Sequence, residues 1–135
     1  MIRSALLIAI TIALIFSAPL RSAEPSSRDW TRTDTLLASV YVASELADWS
    51  QTSQIKDYPG LRESNPALGP YPTQGQINRH FLKATISDLA IAYVLRKIAP
   101  AWVSRSFMIA CTIQEIESVR SNHRLGIRVK IGVTF

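Results

Sequence analysis

Five carboxylates draw attention because four of them interrupt stretches of apolar residues and the fifth sits in a run of turn formers: Glu45, Asp48, Asp88 and Glu115, and Glu63. Glu45 and Asp48 stand three residues apart, which on a helix puts both on one face. Asp88 is alone among apolar neighbours, and Glu115 recurs at helical spacing with Met108, Cys111 and Asn122. Carboxylate oxygens are the hard ligands that magnesium, calcium and manganese prefer, so acids facing one another across a helical bundle would hold a divalent cation. A cation so held activates water for hydrolysis. Asp48, Glu63, Asp88 and Glu115 are therefore candidate metal ligands or acid/base groups, with Glu45 as a further ligand. The pattern has low specificity, since no spacing equals a known ligand motif and no Glu-x-x-His pair occurs. The plainer alternative pairs these acids with Arg62, Arg79, Lys83 or Arg105, or leaves them solvated, as acids on helices mostly are.

Other chemistry is poorly supported. His80 and His123 have no neighbour at ligand spacing, and a general base needs a positioned partner. No Gly-x-Ser-x-Gly turn is present to expose a serine nucleophile. Cys111 is the single cysteine of 135 residues, which excludes an intrachain disulfide and a cysteine-based metal centre. No cofactor is expected, a divalent cation being the alternative. Fifteen basic residues against ten acidic give a net charge of +5, but they are spread along the chain. Without a basic run interleaved with aromatics, nucleic acid is not an expected partner. The same charge suits an anionic phospholipid surface.

The elements that must position these residues follow from the order of the chain. Residues 1–23 carry Arg3, an apolar run from Ala5 to Phe16, and small residues up to Ala23. That is the order of a secretory signal, and the run is shorter than the ~20 residues of a comfortable span. Cleavage after Ala23 would place Arg21 where a small residue is wanted, so an N-terminal anchor stays as the other reading. Residues 24–33 read as a linker. A first helix begins at a cap on Thr33 or Asp34 and runs to about Ile55, with Leu37, Tyr41, Glu45, Asp48 and Thr52 on one face and Leu36, Val40, Ala43 and Ala47 on another. Pro59-Gly60, Asn65-Pro66, Gly69-Pro70 and Pro72 then specify a long ordered loop. A second helix runs from near Thr73 to Ile98, with Phe81, Thr85, Asp88, Ile91, Ala92 and Leu95 on one stripe. Pro100 breaks it, and a third helix runs from Ala101 to about Asn122.

The expected fold is thus all-α: a small bundle of three main helices after a signal or anchor helix, with the helical membrane domain over residues 34–126. The acids leave no uninterrupted apolar stretch of 18 residues, so the helices are either membrane spans with polar interiors or members of a soluble bundle. Trp30, Trp49, Tyr58, Tyr71 and Trp102 fall near helix ends, as in an aromatic belt at lipid headgroups. Residues 127–135 alternate apolar and non-apolar throughout, which is strand periodicity without a second strand. Such a strand pairs with a protein partner or another copy, pairs with the loop, or frays.

Asp48-Trp49-Ser50-Gln51-Thr52, then Glu63-Ser64-Asn65-Pro66-Ala67-Leu68-Gly69, then Asn78-Arg79-His80-Phe81, and finally Glu115, Asn122 and Gly126-Ile127 form a recognisable pattern. It resembles a family of small, uncharacterised bacterial and phage-borne membrane proteins with an Asp-Trp-x-Gln-Thr and Glu-x-Asn-Pro-x-Leu-Gly signature. The likeness covers Trp30 to Phe135 and implies several membrane-embedded helices, with no activity to transfer. The family pattern has histidine where this chain has Asp88. The leading expectation is a protein of the bacterial inner membrane, or else of the periplasm or outer-membrane surface. There it contacts membrane lipid and acts by association with itself or a larger complex through the terminal strand. The alternative is a metal-dependent hydrolase or transferase acting on a lipid or envelope precursor.

Overall fold

The computed structural model describes residues 28–130; the expected signal or anchor segment and residues 131–135 lie outside them. Helix α1 spans Arg32–Thr52, α2 spans Gln74–Ile98 and α3 spans Ala101–Arg124, with a short 3₁₀ turn at Ile55–Asp57. The all-α three-helix bundle is as expected, and no strand occurs among the described residues.

The helix starts obey local hydrogen-bond chemistry. Thr31, not Thr33 or Asp34, caps α1: the Asp34 carboxylate accepts from the Thr31 N–H at 2.9 Å and from its hydroxyl at 2.6 Å. The reciprocal box needs the acid three residues after the hydroxyl, which moves the start two residues earlier than the hydrophobic pattern suggests. Thr73 and Gln76 form the same box at the start of α2. Ala99-Pro100 is the whole connection to α3, so α2 and α3 must lie antiparallel and adjacent. The Ser104 hydroxyl donates to the buried Ala92 carbonyl at 2.7 Å across that seam. After α3, Gly126 adopts φ 88°, a left-handed conformation that glycine reaches without steric cost, and turns the chain so that Ile127 is fully buried.

Among the described residues nine apolar side chains are buried beside eight polar or charged ones, and sixteen large apolar residues are exposed. Tyr41, Ala92 and Met108 form one small apolar cluster; Leu68, Ile77 and Phe81 form another under the loop, with Trp49 stacked on Phe81 at 5.8 Å. The rest of the buried residues are Ile55, Val103 and Ile127 together with Asp34, Glu45, Asp48, Gln51, Thr52, Gln54, Arg96 and Ser104. Leu36, Val40 and Ala43 of α1 accordingly face outward, and so does Ile91, which the spacing had put on the inward stripe of α2. Polar side chains that bond one another inside displace apolar ones to the surface. No helix among the described residues is long and apolar enough to cross a membrane.

One ion cluster ties the three helices at this end. Asp34, at the start of α1, receives Arg96 Nε from the last turn of α2 at 3.2 Å and Arg105 Nε from the first turns of α3 at 2.8 Å. At the opposite end, residues 127–130 are not a strand. The Ile127 and Arg128 carbonyls accept from Gln51 Nε2 at 2.9 Å and Gln54 Nε2 at 2.8 Å, and Ser50 Oγ bonds both the N–H and the carbonyl of Lys130. Side chains of the α1 terminus thus take the backbone groups that a neighbouring strand would have taken.

Replacing Asp34 by Asn removes the anion between two guanidiniums and should lower the unfolding free energy by about 3 kcal/mol in chemical denaturation. Glu117→Gln, which loosens an exposed contact with Arg120, should stay within about 0.5 kcal/mol. Equal losses in the two variants would show that Asp34 does not hold the helices together.

Candidate functional site

Helical spacing delivers the candidate acids to the interior. On α1, Tyr41, Glu45 and Asp48 follow at steps of four and three, so one stripe carries all three. The facing residues are Thr85 and Asp88 on α2, with Cys111, Glu115 and Asn122 on α3. The Tyr41 hydroxyl donates to Asp88 Oδ2 at 2.8 Å, and burial with the nearby Asp88 and Glu115 charges pushes the Cys111 thiol up to about 12. Thr85 Oγ1 lies 3.5 Å from Glu45 Oε1 but 2.9 Å from the Phe81 carbonyl. With one hydroxyl proton to give, Thr85 serves the shorter contact and leaves Glu45 at the limit of hydrogen bonding.

Glu45 instead faces Glu115, and burial together with the nearby carboxylates pushes both acids up, to about 7 and about 8. Two ionised carboxylates offer only acceptors, so a direct bond between them would need a shared proton. Asp48 accepts from Asn122 Nδ2 at 2.7 Å. It lies within electrostatic range of Glu115 on one side and Glu63 on the other. Glu63 Oε1 accepts the Asn65 N–H at 2.7 Å, which shapes the turn that places Leu68 in the core. The five acids therefore form a continuous file from the middle of the bundle (Asp88, Glu45, Glu115) to its loop end (Asp48, Glu63).

The structure brings together every acid that the sequence singled out, but not in the manner of either expectation. None of the ion pairs among the described residues joins one of the five to a base, and Arg105, named as a partner for them, is taken by Asp34. Nor do the described residues include a group of three or more His, Cys, Asp or Glu side chains arranged to hold a metal ion. Tyr41 and Asn122 donate instead to Asp88 and Asp48, while Glu63 Oε2 has no partner. Sequence reasoning had put Tyr41, Thr85, Cys111 and Asn122 on the right faces without giving them roles. The available signal was their recurrence at three, four or seven residues from an acid. It also passed over Gln51 and Gln54, whose partners lie more than 70 residues away. The two histidines stay outside this file: His80 contacts Asn65 in the loop at 3.1 Å, and His123 contacts Arg128.

The Glu45–Glu115 contact yields a test. A carboxamide at 115 donates an N–H to Glu45 without needing the shared proton, so Glu115→Gln should be at least as stable as the parent in thermal denaturation. Glu115→Leu leaves Glu45 buried without a donor and should cost about 1–3 kcal/mol. A Gln variant as damaged as the Leu variant would show that the two carboxyl groups do not bond.

No protein-family model, no curated protein and no solved structure matches the chain.

Proposed function

We propose that this chain is a small helical protein of the cell-envelope membrane that keeps its outer face in lipid and acts by association with itself or a larger complex. The observation that carries the reading is the apolar exterior of the bundle. From Thr33 to Ile55, from Ala84 to Leu95 and from Ser106 to Ile116 no charged side chain is exposed. The charged residues within those stretches are Asp34, Glu45, Asp48, Asp88 and Glu115; Asp34, Glu45 and Asp48 are buried, Asp88 accepts from Tyr41, and Glu115 faces Glu45. The same stretches expose Leu36, Val40, Leu46, Ile86, Ile91, Val94, Ile109, Ile113 and Ile116. A contiguous apolar exterior of this extent needs cover, and inward-facing intramembrane acids are the pattern lipid imposes.

Hydropathy taken around a whole helix counts the inward acids that lipid would not meet, which lowers the average of all three helices. Helices of 21, 25 and 24 residues extend over roughly 31–37 Å, and exposed Arg79, Lys83, Glu117 and Arg120 confine the charge-free part of α2 and α3 to their other halves. Exposed basic residues gather at one rim, with Arg79, Lys83, Arg120, Arg124, Arg128 and Lys130, where they suit anionic headgroups. Association has a place on α1, whose exposed Ser39 and Ala43 are four residues apart and permit close approach of a second helix. The terminal segment, by contrast, is engaged within its own chain as far as Lys130.

Fractionation and cross-linking test the two halves separately. The untagged protein should stay in the membrane pellet after a carbonate wash, and cross-linking in mild detergent should give higher-order species that Ala43→Phe reduces several-fold. Recovery in the soluble fraction would sink the lipid reading; a parent protein that is monomeric throughout would sink the association.

A second reading is favoured by the convergence of Asp48, Glu63, Asp88 and Glu115, which packing alone rarely produces. It is a hydrolase or transferase acting on a lipid or envelope precursor, with these acids as proton donors, acceptors or cation ligands.

A further inference from the structure

Three buried side-chain oxygens among the described residues have no hydrogen-bond partner: Gln51 Oε1, Gln54 Oε1 and Glu63 Oε2. All three are acceptors: Gln51 and Gln54, at the end of α1, bond the terminal segment, and Glu63, in the loop, lies within electrostatic range of Asp48. Gln51 is 0% exposed and Gln54 6%. The direction of each amide is set by what its nitrogen does. Gln51 Nε2 donates to the Ile127 carbonyl, and Gln54 Nε2 donates to the carbonyls of Ser50 at 2.7 Å and Arg128 at 2.8 Å. Turning either amide over would set oxygen against carbonyl oxygen, so the unpartnered atom is the oxygen in each case.

The neighbours of these oxygens are of one sign. Asp48 lies one turn before Gln51 on the same helix, and Glu63 is within its electrostatic range. Asn122 closes the corner between the end of α1 and the terminal segment: its Nδ2 donates to Asp48 and its carbonyl accepts the Ile127 N–H at 3.1 Å. Each buried acceptor without a donor is destabilising, and two carboxylates beside them add like charge. What would satisfy every one of these groups at once is a positively charged electron-pair acceptor.

We propose that this corner binds a hard divalent cation, with Asp48 and Glu63 supplying carboxylate oxygens and Gln51 and Gln54 supplying amide oxygens. Magnesium and calcium take such mixed oxygen sets, whereas zinc and copper favour the imidazole and thiolate ligands that the set lacks. Two carboxylates with two neutral amides also make a site distinct from a triad of acids, at the loop end of the file that Glu45 and Glu115 continue. The proposal rests on the carboxylate-site reading above and narrows it to one corner and one class of ion.

Titration of the full chain in detergent micelles with Mn²⁺ alone, followed by the loss of the free-ion electron paramagnetic resonance signal, tests it. The parent should bind one ion per chain, displaced by Mg²⁺ or Ca²⁺. Glu63→Gln and Asp48→Asn should each weaken binding at least tenfold and Gln51→Leu severalfold, with helical content by circular dichroism unchanged in Glu63→Gln. Glu117→Gln on the outer surface should bind as the parent does. Absence of a stoichiometric ion in the parent would overturn the proposal, and so would binding weakened by Asp88→Asn but spared by Glu63→Gln, which would move the ion to the middle of the bundle. Stoichiometric binding by a protein that turns over no envelope precursor would keep the site and remove the enzyme.

Discussion

Burial of the Asp34 carboxylate between two guanidiniums is the constraint on which the other contacts depend. Apolar clusters in this bundle are small, and apolar contacts are non-directional, so they fix neither rotation nor register of a helix. A carboxylate that is 2% exposed must meet its cations with defined geometry. Because the acid opens α1 while the arginines close α2 and open α3, one cluster sets how far each helix is rotated about its axis. Once those rotations are set, Tyr41, Asp88 and Cys111 meet in the middle, and the apolar stripes have nowhere to go but outward.

The polar interior carries its own cost, offset locally rather than by a counter-charge. Asp88 has a phenol and Asp48 a carboxamide, while Glu45 and Glu115 face one another. Neutral donors reduce the field of an acid without cancelling its charge, so the file stays responsive to protons and cations in a way that a set of salt bridges would not. Asp34 contrasts with it: two arginines give it a fixed charge and a structural task. The sorting of acids into one that is paired with bases and five that are not separates what holds the bundle from what it offers chemically.

Much of this was legible in the sequence. Breakers at Pro59 to Pro72 and at Pro100 delimit the helices, and recurrence at three and four residues puts Glu45 and Asp48 on one face, since both signals are local. The direction of each face was not legible. Periodicity resolves α1 into the stripe of Leu37, Tyr41 and Glu45 and the stripe of Leu36, Val40 and Ala43, but partners 47 to 71 residues away decide which turns inward. The alternation over residues 127–130 is limited for a related reason. A period of two predicts extended backbone with groups to satisfy, and it does not reveal that glutamines on a helix will satisfy them.

The docking of the terminal segment also sets an order of assembly. Ser50, Gln51, Gln54 and Tyr58 wait for residues 68 to 80 positions later in the chain, among the longest-range hydrogen bonds of the fold. During synthesis the three helices and the loop emerge first, and the Gln51 amide has no Ile127 carbonyl to meet until that residue leaves the ribosome. The corner is therefore completed only after the three helices. A chain halted anywhere in α3 would possess the acids but lack the clamp that orients the oxygens around them.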